Sequence, residues 1–266
     1  MNDAPLGVFD SGIGGLTVAR ALFERLPHEA VLYFGDTARV PYGPKSPETV
    51  RRYSAEILAY LLGRGVKAVV VACNTSTAHA LDHLRAHAPV PVVGVIEPGA
   101  RAAAAASRSG KIGVIGTAGT VASGAYERAI KAVRPDATVV SAPCPLFVPL
   151  VEEGWFDHPA AELIAREYLE PLRRAGVDTV VLGCTHYPLL KPLLQRVLGA
   201  GVRLIDSAEE TATEVVNELA ARGLAAAAQR KPEHAFVVSD DEARFRKVGE
   251  RFLGEKLKRV SVVPLG

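Results

Sequence analysis

The sequence predicts an α/β protein made of two pseudo-symmetric, doubly wound units with mainly parallel sheets and a site in the cleft between them. Three observations predict this. Short β-branched apolar runs alternate with stretches of helical period, the pattern of parallel sheets covered by helices on both faces. One half of the chain repeats the other. The length, 266 residues, fits two modest cores at about 100–200 residues per domain.

The strands are expected, in order, at Leu6–Phe9, Val31–Phe34, Ala68–Ala72, Val92–Val95, Lys111–Ile115, Thr138–Ala142, Thr179–Leu182, Val202–Ile205, Ala235–Val238 and Ser261–Val263. Each is a short apolar run bounded by turn or polar residues. Most are separated by helical segments such as Thr49–Arg64 and Pro159–Ala175. Gly65-Val-Lys-Ala-Val-Val-Val-Ala-Cys-Asn-Thr75 aligns with Gly176-Val-Asp-Thr-Val-Val-Leu-Gly-Cys-Thr-His186, with five of eleven positions identical. Gly7-Val-Phe-Asp-Ser11 aligns with Gly113-Val-Ile-Gly-Thr117. Such self-similarity reads as a duplicated unit. The expected domains are residues 1–98 with 207–266, carrying Cys73, and residues 99–206, carrying Cys184. The tail holds two strands that need a sheet to join, so it is expected to cross back to the first unit. Leu224–His234 reads as an exposed connection.

Composition excludes several classes. The chain is 48% hydrophobic and 23% charged with a net charge of +2, so neither disorder nor a nucleic-acid specialist is indicated. Aliphatic runs such as Ala68–Ala72 fall far short of the roughly 20 residues of a membrane span. Met1–Leu6 shows no basic region before a long apolar stretch, so no targeting segment is expected. Three cysteines are too few for a disulfide framework, which points to a reducing, cytoplasmic setting.

Ligands of parallel α/β sheets bind where strands end and helices begin. Polar and glycine-rich residues cluster there: Asp10-Ser-Gly-Ile-Gly-Gly15, Asp36–Gly43, Cys73–Thr77, Gly116–Thr120 and Cys184–Pro188. A strand-end cysteine is ordinarily core filling. Two at repeat-equivalent positions, each followed by hydrogen-bonding residues, favour chemistry instead. A helix beginning at each cysteine is expected to lower its pKa. No Cys-x-x-Cys spacing suggests a disulfide or zinc, although Cys144 and His186 could complete a four-ligand set; no metal is expected. Two acid/base groups facing one stereocentre from opposite sides are what racemisation requires. Ser11, Asn74, Thr75, Thr117, Thr120 and Thr185 can bind carboxylates or simply cap helices. Asp10 lies beside the first strand-end site, and His186 follows Cys184 by two residues; each can hold a proton or position an ammonium group.

Weaker signals compete. Gly12-Ile-Gly-Gly15 with Asp36 imitates a dinucleotide loop but lacks the third glycine. No strand-end lysine suits pyridoxal phosphate. His79, His83 and His87 read as a solvated helix face, and Cys144 as structural. Glu152 either puts a carboxylate near the cleft or ends an exposed helix.

Taken together, Gly7-Val-Phe-Asp-Ser-Gly-Ile-Gly-Gly-Leu-Thr17, Tyr33-Phe-Gly-Asp-Thr-Ala-Arg-Val-Pro-Tyr-Gly43, Ala72-Cys-Asn-Thr75 and Gly183-Cys-Thr-His-Tyr-Pro-Leu189 resemble the bacterial glutamate racemases. These belong to the cofactor-independent aspartate/glutamate racemase superfamily. The resemblance spans essentially the whole chain. It implies interconversion of L- and D-glutamate for peptidoglycan synthesis, with no cofactor. It implies Cys73 and Cys184 as the acid/base pair, assisted by Asp10 and His186, with Glu152 behind them. Asp10, Ser11, Pro41, Tyr42, Gly43, Asn74, Thr75, Thr185 and His186 would line the substrate site. His186 stands where aspartate-specific relatives generally carry Glu, which favours glutamate. Ser76-Thr77 departs from the commoner Ala-Ser or Ala-Thr and leaves substrate tuning open. The resemblance also implies a homodimer. Its alternatives are a racemase of another small acid, such as aspartate or a hydantoin, and a gyrase-restraining protein on the same scaffold.

Overall fold

The computed structural model describes residues 2–228 and 231–265. The elements run β1 Leu6–Asp10, α1 Leu16–Arg25, β2 Val31–Gly35, α2 Pro47–Gly63, β3 Ala68–Val71, α3 Asn74–His87, β4 Val92–Gly94, α4 Ile96–Ala106 and β5 Lys111–Gly116. They continue with α5 Ala118–Ala122, α6 Ala125–Val133, β6 Thr138–Pro143, α7 Phe147–Glu152, α8 Pro159–Ala175, β7 Thr179–Gly183, α9 Lys191–Leu198 and β8 Arg203–Asp206. The tail adds α10 Ser207–Ala221, β9 Ala235–Val238, α11 Glu242–Leu253 and β10 Val260–Val262. Every expected strand is present to within a residue or so at its ends. The described part of 224–234 carries no helix or strand, and Gln229 and Arg230 lie outside the described residues.

The strands form two parallel sheets, ordered β10-β9-β2-β1-β3-β4 and β6-β5-β7-β8. The order β2-β1-β3-β4 in the first sheet is the order β6-β5-β7-β8 in the second, so the sequence repeat is a repeat of topology. Strands β9 and β10 extend the first sheet beyond β2.

The central strands β1, β3 and β7 are buried on both faces, which is why they read as largely apolar runs. In β1, Val8 joins one cluster with Leu16 and Leu22 of α1, while its neighbour Phe9 joins another with Ile57 and Leu61 of α2. In β7, Val181 packs with Ile130 of α6, and Val180 and Leu182 pack with Leu169 and Leu172 of α8. Local chemistry sets the helix starts. Ser46 accepts from Thr49 N at 3.3 Å ahead of Pro47, and Asp206 accepts from Ala208 N at 2.9 Å, each satisfying an amide that the helix leaves free.

One expectation fails at the second cysteine. Cys73 caps α3, but no α-helix begins at Cys184; a 3-10 turn covers Tyr187–Leu190 and α9 starts only at Lys191. Pro188 and Pro192 lack the N–H groups that an α-helix starting at Cys184 would need there. The two half-sites therefore share a strand end but not a helix.

Candidate active site

Both thiols are buried at the carboxyl ends of their strands, Cys73 after β3 and Cys184 after β7, each about one-twentieth exposed. Each lies close enough to Asp10 to feel its charge, and Cys184 also feels Cys73. The strand ends thus bring both cysteines and Asp10, at the end of β1, within reach of one another's charge.

Cys73 sits at the N-terminus of α3, and its Sγ accepts from Ser76 N at 3.4 Å. Ser11 adds a hydroxyl contact to the same sulfur. Even so, the pKa of Cys73 lies above the ordinary value, contrary to the expectation of a lowered one. Burial is the larger cause and the Asp10 carboxylate the next; the helix amide pulls the other way and is outweighed. Burial likewise pushes Cys184 well up. Cys144 is fully buried, its Sγ against Ala142 O at 3.5 Å and its carbonyl accepting from Tyr187 Oη at 2.8 Å. It lies near enough to Cys184 to feel it, but burial pushes its own pKa well up and its nearest partners are backbone groups and Tyr187.

Asp10 is 1% exposed. Its Oδ2 accepts from Gly12 N at 3.0 Å, while its Oδ1 is buried with no protein partner. Burial raises its pKa; the neighbouring His186 and the backbone amides of the glycine loop work against that rise. Asn74 holds a complementary position. Its Oδ1 accepts from Tyr126 Oη at 2.7 Å, and its Nδ2 is buried and unpartnered. A buried acceptor and a buried donor left unmet are expensive in a folded core. Here they occur together beside the thiols.

His186 is supported from behind. Its Nε2 lies 3.1 Å from Glu152 Oε1 at the end of α7, and its Nδ1 lies 3.9 Å from Cys184 Sγ and 3.5 Å from Thr185 Oγ1. A carboxylate only accepts, so Nε2 donates to Glu152, and Nδ1 is the ring atom that faces the thiol. Glu152 Oε2 accepts from Arg244 of α11 at 3.1 Å. Burial opposes the charge on Glu152, but His186 and Arg244 outweigh it and hold the carboxyl below its ordinary value. The alternative of an exposed helix end for Glu152 is thereby removed.

Threonines close the seam between the units. Thr75 Oγ1 lies 2.9 Å from Thr117 Oγ1 and 3.2 Å from Thr120 Oγ1, and Thr117 lies 3.0 Å from Thr120. Gly119 N donates to Gly43 O at 2.9 Å. A Cβ on Gly119 would stand 2.7 Å from that oxygen, so only glycine permits the approach. His79 was expected in solvent, but its Nε2 lies 3.1 Å from Gly119 O, because the first turns of α3 face α5; His83 and His87 remain exposed.

The loop after β2 contributes differently than its polarity suggested. The Tyr42 ring packs against Cys73 and Val50, but its hydroxyl donates to Asp36. Asp36 also takes Arg39 Nε at 2.7 Å and Ser239 Oγ at 2.8 Å. It anchors the loop rather than awaiting a ribose. Pro41 follows a cis peptide bond and stands exposed, with Tyr42 and Gly43 buried behind it.

Gly14 and Thr17 carry the first unit onto the second. Thr17 Oγ1 donates to Thr185 O at 3.1 Å, and a Cβ on Gly14 would fall 2.4 Å from His186 Nδ1. Tyr126, Arg244 and Phe252 escaped sequence reasoning. Each lies far along the chain from the residue it touches, and none sits at a strand end.

Residues 15–215 match the model of the Asp/Glu/Hydantoin racemase family. The chain belongs to this family. A glutamate racemase of Geobacter metallireducens is 56% identical over 260 residues, covering 98% of this chain and 96% of that protein. The crystal structure of a glutamate racemase of Bacillus anthracis superposes with a TM-score of 0.95 at 41% identity, covering 99% and 98% of the two chains. One from Francisella tularensis, in complex with D-glutamate, superposes at 0.93 with 38% identity and the same coverage. Among the described residues of this family member, no helix is long and apolar enough to cross a membrane.

Proposed function

We propose that the chain interconverts L- and D-glutamate by proton transfer between two thiols and the α-carbon. The observation that carries this is that Cys73 and Cys184 stand buried at repeat-equivalent strand ends, each close enough to Asp10 to feel its charge. In one direction a thiolate takes the α-proton: a C–H bond breaks, an S–H bond forms, and the electron pair stays on Cα. The opposite thiol then gives its proton to the other face, which forms the new C–H bond and leaves a thiolate there. The reverse reaction starts from that exchanged state. Both transfers are supplied by the protein, so the proposal calls for no cofactor. Asp10 Oδ1 fits the substrate ammonium, and Asn74 Nδ2 fits a carboxylate. The hydroxyls of Ser11, Thr75, Thr117, Thr120 and Thr185 surround the rest. Asp10 assists Cys73, and His186, oriented by Glu152, assists Cys184.

Burial suits this chemistry. It lowers the resting thiolate fraction but makes each thiolate a stronger base, closer in strength to the weakly acidic α-carbon. We further propose that residues 1–98 with 207–266 and residues 99–206 act as two domains closing on the substrate. The family resemblance supports a cytoplasmic homodimer whose product feeds peptidoglycan synthesis.

The test is purified protein with L-glutamate alone, followed by circular dichroism or chiral chromatography. Signal should decay to the racemate, and in deuterated water the label should enter Cα. Cys73→Ala and Cys184→Ala should each abolish racemisation. Turnover of aspartate but not glutamate would overturn the substrate assignment, and full activity of either variant would overturn the mechanism.

A further inference from the structure

Helix α11 lies in the tail that joins the first sheet, yet it grips the far half of the site. Arg244 Nη2 donates to Glu152 Oε2 at 3.1 Å and lies 3.5 Å from Glu153 Oε1. Seven residues on, Arg251 Nη1 donates to the Glu152 carbonyl at 3.4 Å. Phe252 sets its ring edge-on to His186, with centroids 5.1 Å apart. Two helical turns bring these three side chains to one face. One partner thus holds the Glu152 carboxylate, another its backbone, and a third the imidazole that the carboxylate bonds.

We infer that Arg244 is a positioning residue for the Cys184 half of the proposed racemisation, acting through Glu152 and His186. A carboxylate has two oxygens, and here each is committed: Oε2 to Arg244 and Oε1 to His186 Nε2. Fixing Oε2 fixes the direction of Oε1. That direction keeps Nε2 protonated and Nδ1 aimed at Cys184 Sγ. Without the guanidinium the carboxylate is free to turn toward solvent, and the ring loses its orientation. Arg244 touches neither thiol, so it acts only through this chain. The charged groups facing Glu152 are His186, Arg244 and Arg251, with Glu153 beside it on its own segment. Those facing His186 are Glu152, Asp10 of β1 and Cys184.

The inference rests on the glutamate reading, so the experiment first establishes that the unaltered protein racemises glutamate. Arg244→Met and Arg244→Lys are then compared for thermal unfolding, for kcat and KM in both directions, and for the pH profile of kcat/KM. Arg244 is half-exposed, so folding should survive. Arg244→Met should lower kcat about three- to tenfold, the size of effect that a partly exposed charge pair carries. Glu152 must be ionised to hold His186, and Arg244 favours that ionisation. The acid limb should therefore move up by about half a pH unit in the Met variant. Lysine should restore most of the limb position. A folded Met variant with unchanged kcat and unchanged acid limb overturns the inference. So does a loss of kcat with no movement of the limb and no repair by lysine, which would mark a merely structural contact. An unaltered protein inactive on glutamate would sink the functional reading and this inference together; an active one with an indifferent Met variant sinks the inference alone.

Discussion

Gly14→Ala tests whether the glycine loop of the first unit is a working wall of the second. The added Cβ would stand 2.2 Å from Thr185 Oγ1 and 2.4 Å from His186 Nδ1. Ordinary contact needs about 3.5 Å, so loop and turn must part by about 1 Å. His186 cannot simply swing aside, because Glu152 holds its Nε2 at 3.1 Å and the Phe252 ring stands edge-on to it. Overpacking of this kind costs about 1–3 kcal/mol, and a 1 Å displacement at a reacting centre costs about 10²-fold. The expected result is a kcat/KM about a hundredfold lower in both directions, read by circular dichroism, with a modest fall in melting temperature. Gly63→Ala is the matched control. It makes the same chemical change at the end of α2, where nothing lies within 4 Å of the new methyl. It should leave activity untouched and stabilise by up to about 1 kcal/mol. A folded Gly14→Ala protein with full activity would refute the reasoning, because the contact between loop and turn would then be irrelevant to the site.

Three further outcomes are expected. Burial raises the pKa of Asp10, so the folded state binds its proton more readily than the unfolded chain does, and stability falls as pH rises from about 3.9 through the folded value. Asp10→Asn should therefore melt higher than the parent at pH 7, with the gap closing toward pH 4 in calorimetry, while losing activity; a lower melting point would contradict this. Lys67 Nζ lies 2.5 Å from Glu29 Oε2, both nearly fully buried, so Lys67→Met should cost about 3–5 kcal/mol in urea titration by stranding a buried carboxylate. The double variant with Glu29→Leu should regain most of that loss, and a single-variant cost below about 1 kcal/mol would speak against the pair. Asp178 accepts from Ser107 Oγ at 2.6 Å, Arg108 N at 2.8 Å and Ser109 N at 2.7 Å; burial opposes its charge, but these bonds hold its pKa well below the ordinary range. That stabilisation is present above the unfolded pKa and fades as pH falls, so Asp178→Asn should cost about 1–2 kcal/mol at pH 7 and less at pH 3.

The strands were readable because the central ones, β1, β3 and β7, are buried on both faces and stand as short, largely apolar runs between polar turns. The tail's return to the first sheet was readable because two strands cannot stand alone. Residues at strand ends were readable for the same topological reason: Cys73, Cys184, Asp10, Asn74 and Thr75 all occupy them. What the chain did not disclose lies in long-range packing. Tyr126 finds Asn74, and Arg244 finds Glu152, across separations that no period or spacing encodes. The thiol acidities were misjudged because a helix terminus is visible in sequence while burial beside Asp10 is not. A helix at Cys184 is not formed because Pro188 and Pro192 both lack the N–H groups that it would need.

The repeat also explains why the halves differ. Duplication supplies two strand-end thiols, but the repeat-equivalent positions around them carry different residues, Ser11 where the second half has Thr117 and His186 where the first has Thr75, and Glu152 and Arg244 lie outside the repeat. Cys73 has a helix N-terminus and Ser11. Cys184 has no helix, and in its place stands the chain His186, Glu152 and Arg244, the last of these drawn from the tail. Interconverting enantiomers has an equilibrium constant of one, so kcat/KM must be equal in the two directions however unlike the halves are. The asymmetry is free to appear only in kcat and KM taken separately, and in their pH dependence. A variant that acts on Cys184 alone alters the base in one direction and the acid in the other. Glu152→Gln should therefore scale the two kcat values unequally while kcat/KM stays equal, and equal scaling would show that Glu152 does not act through Cys184.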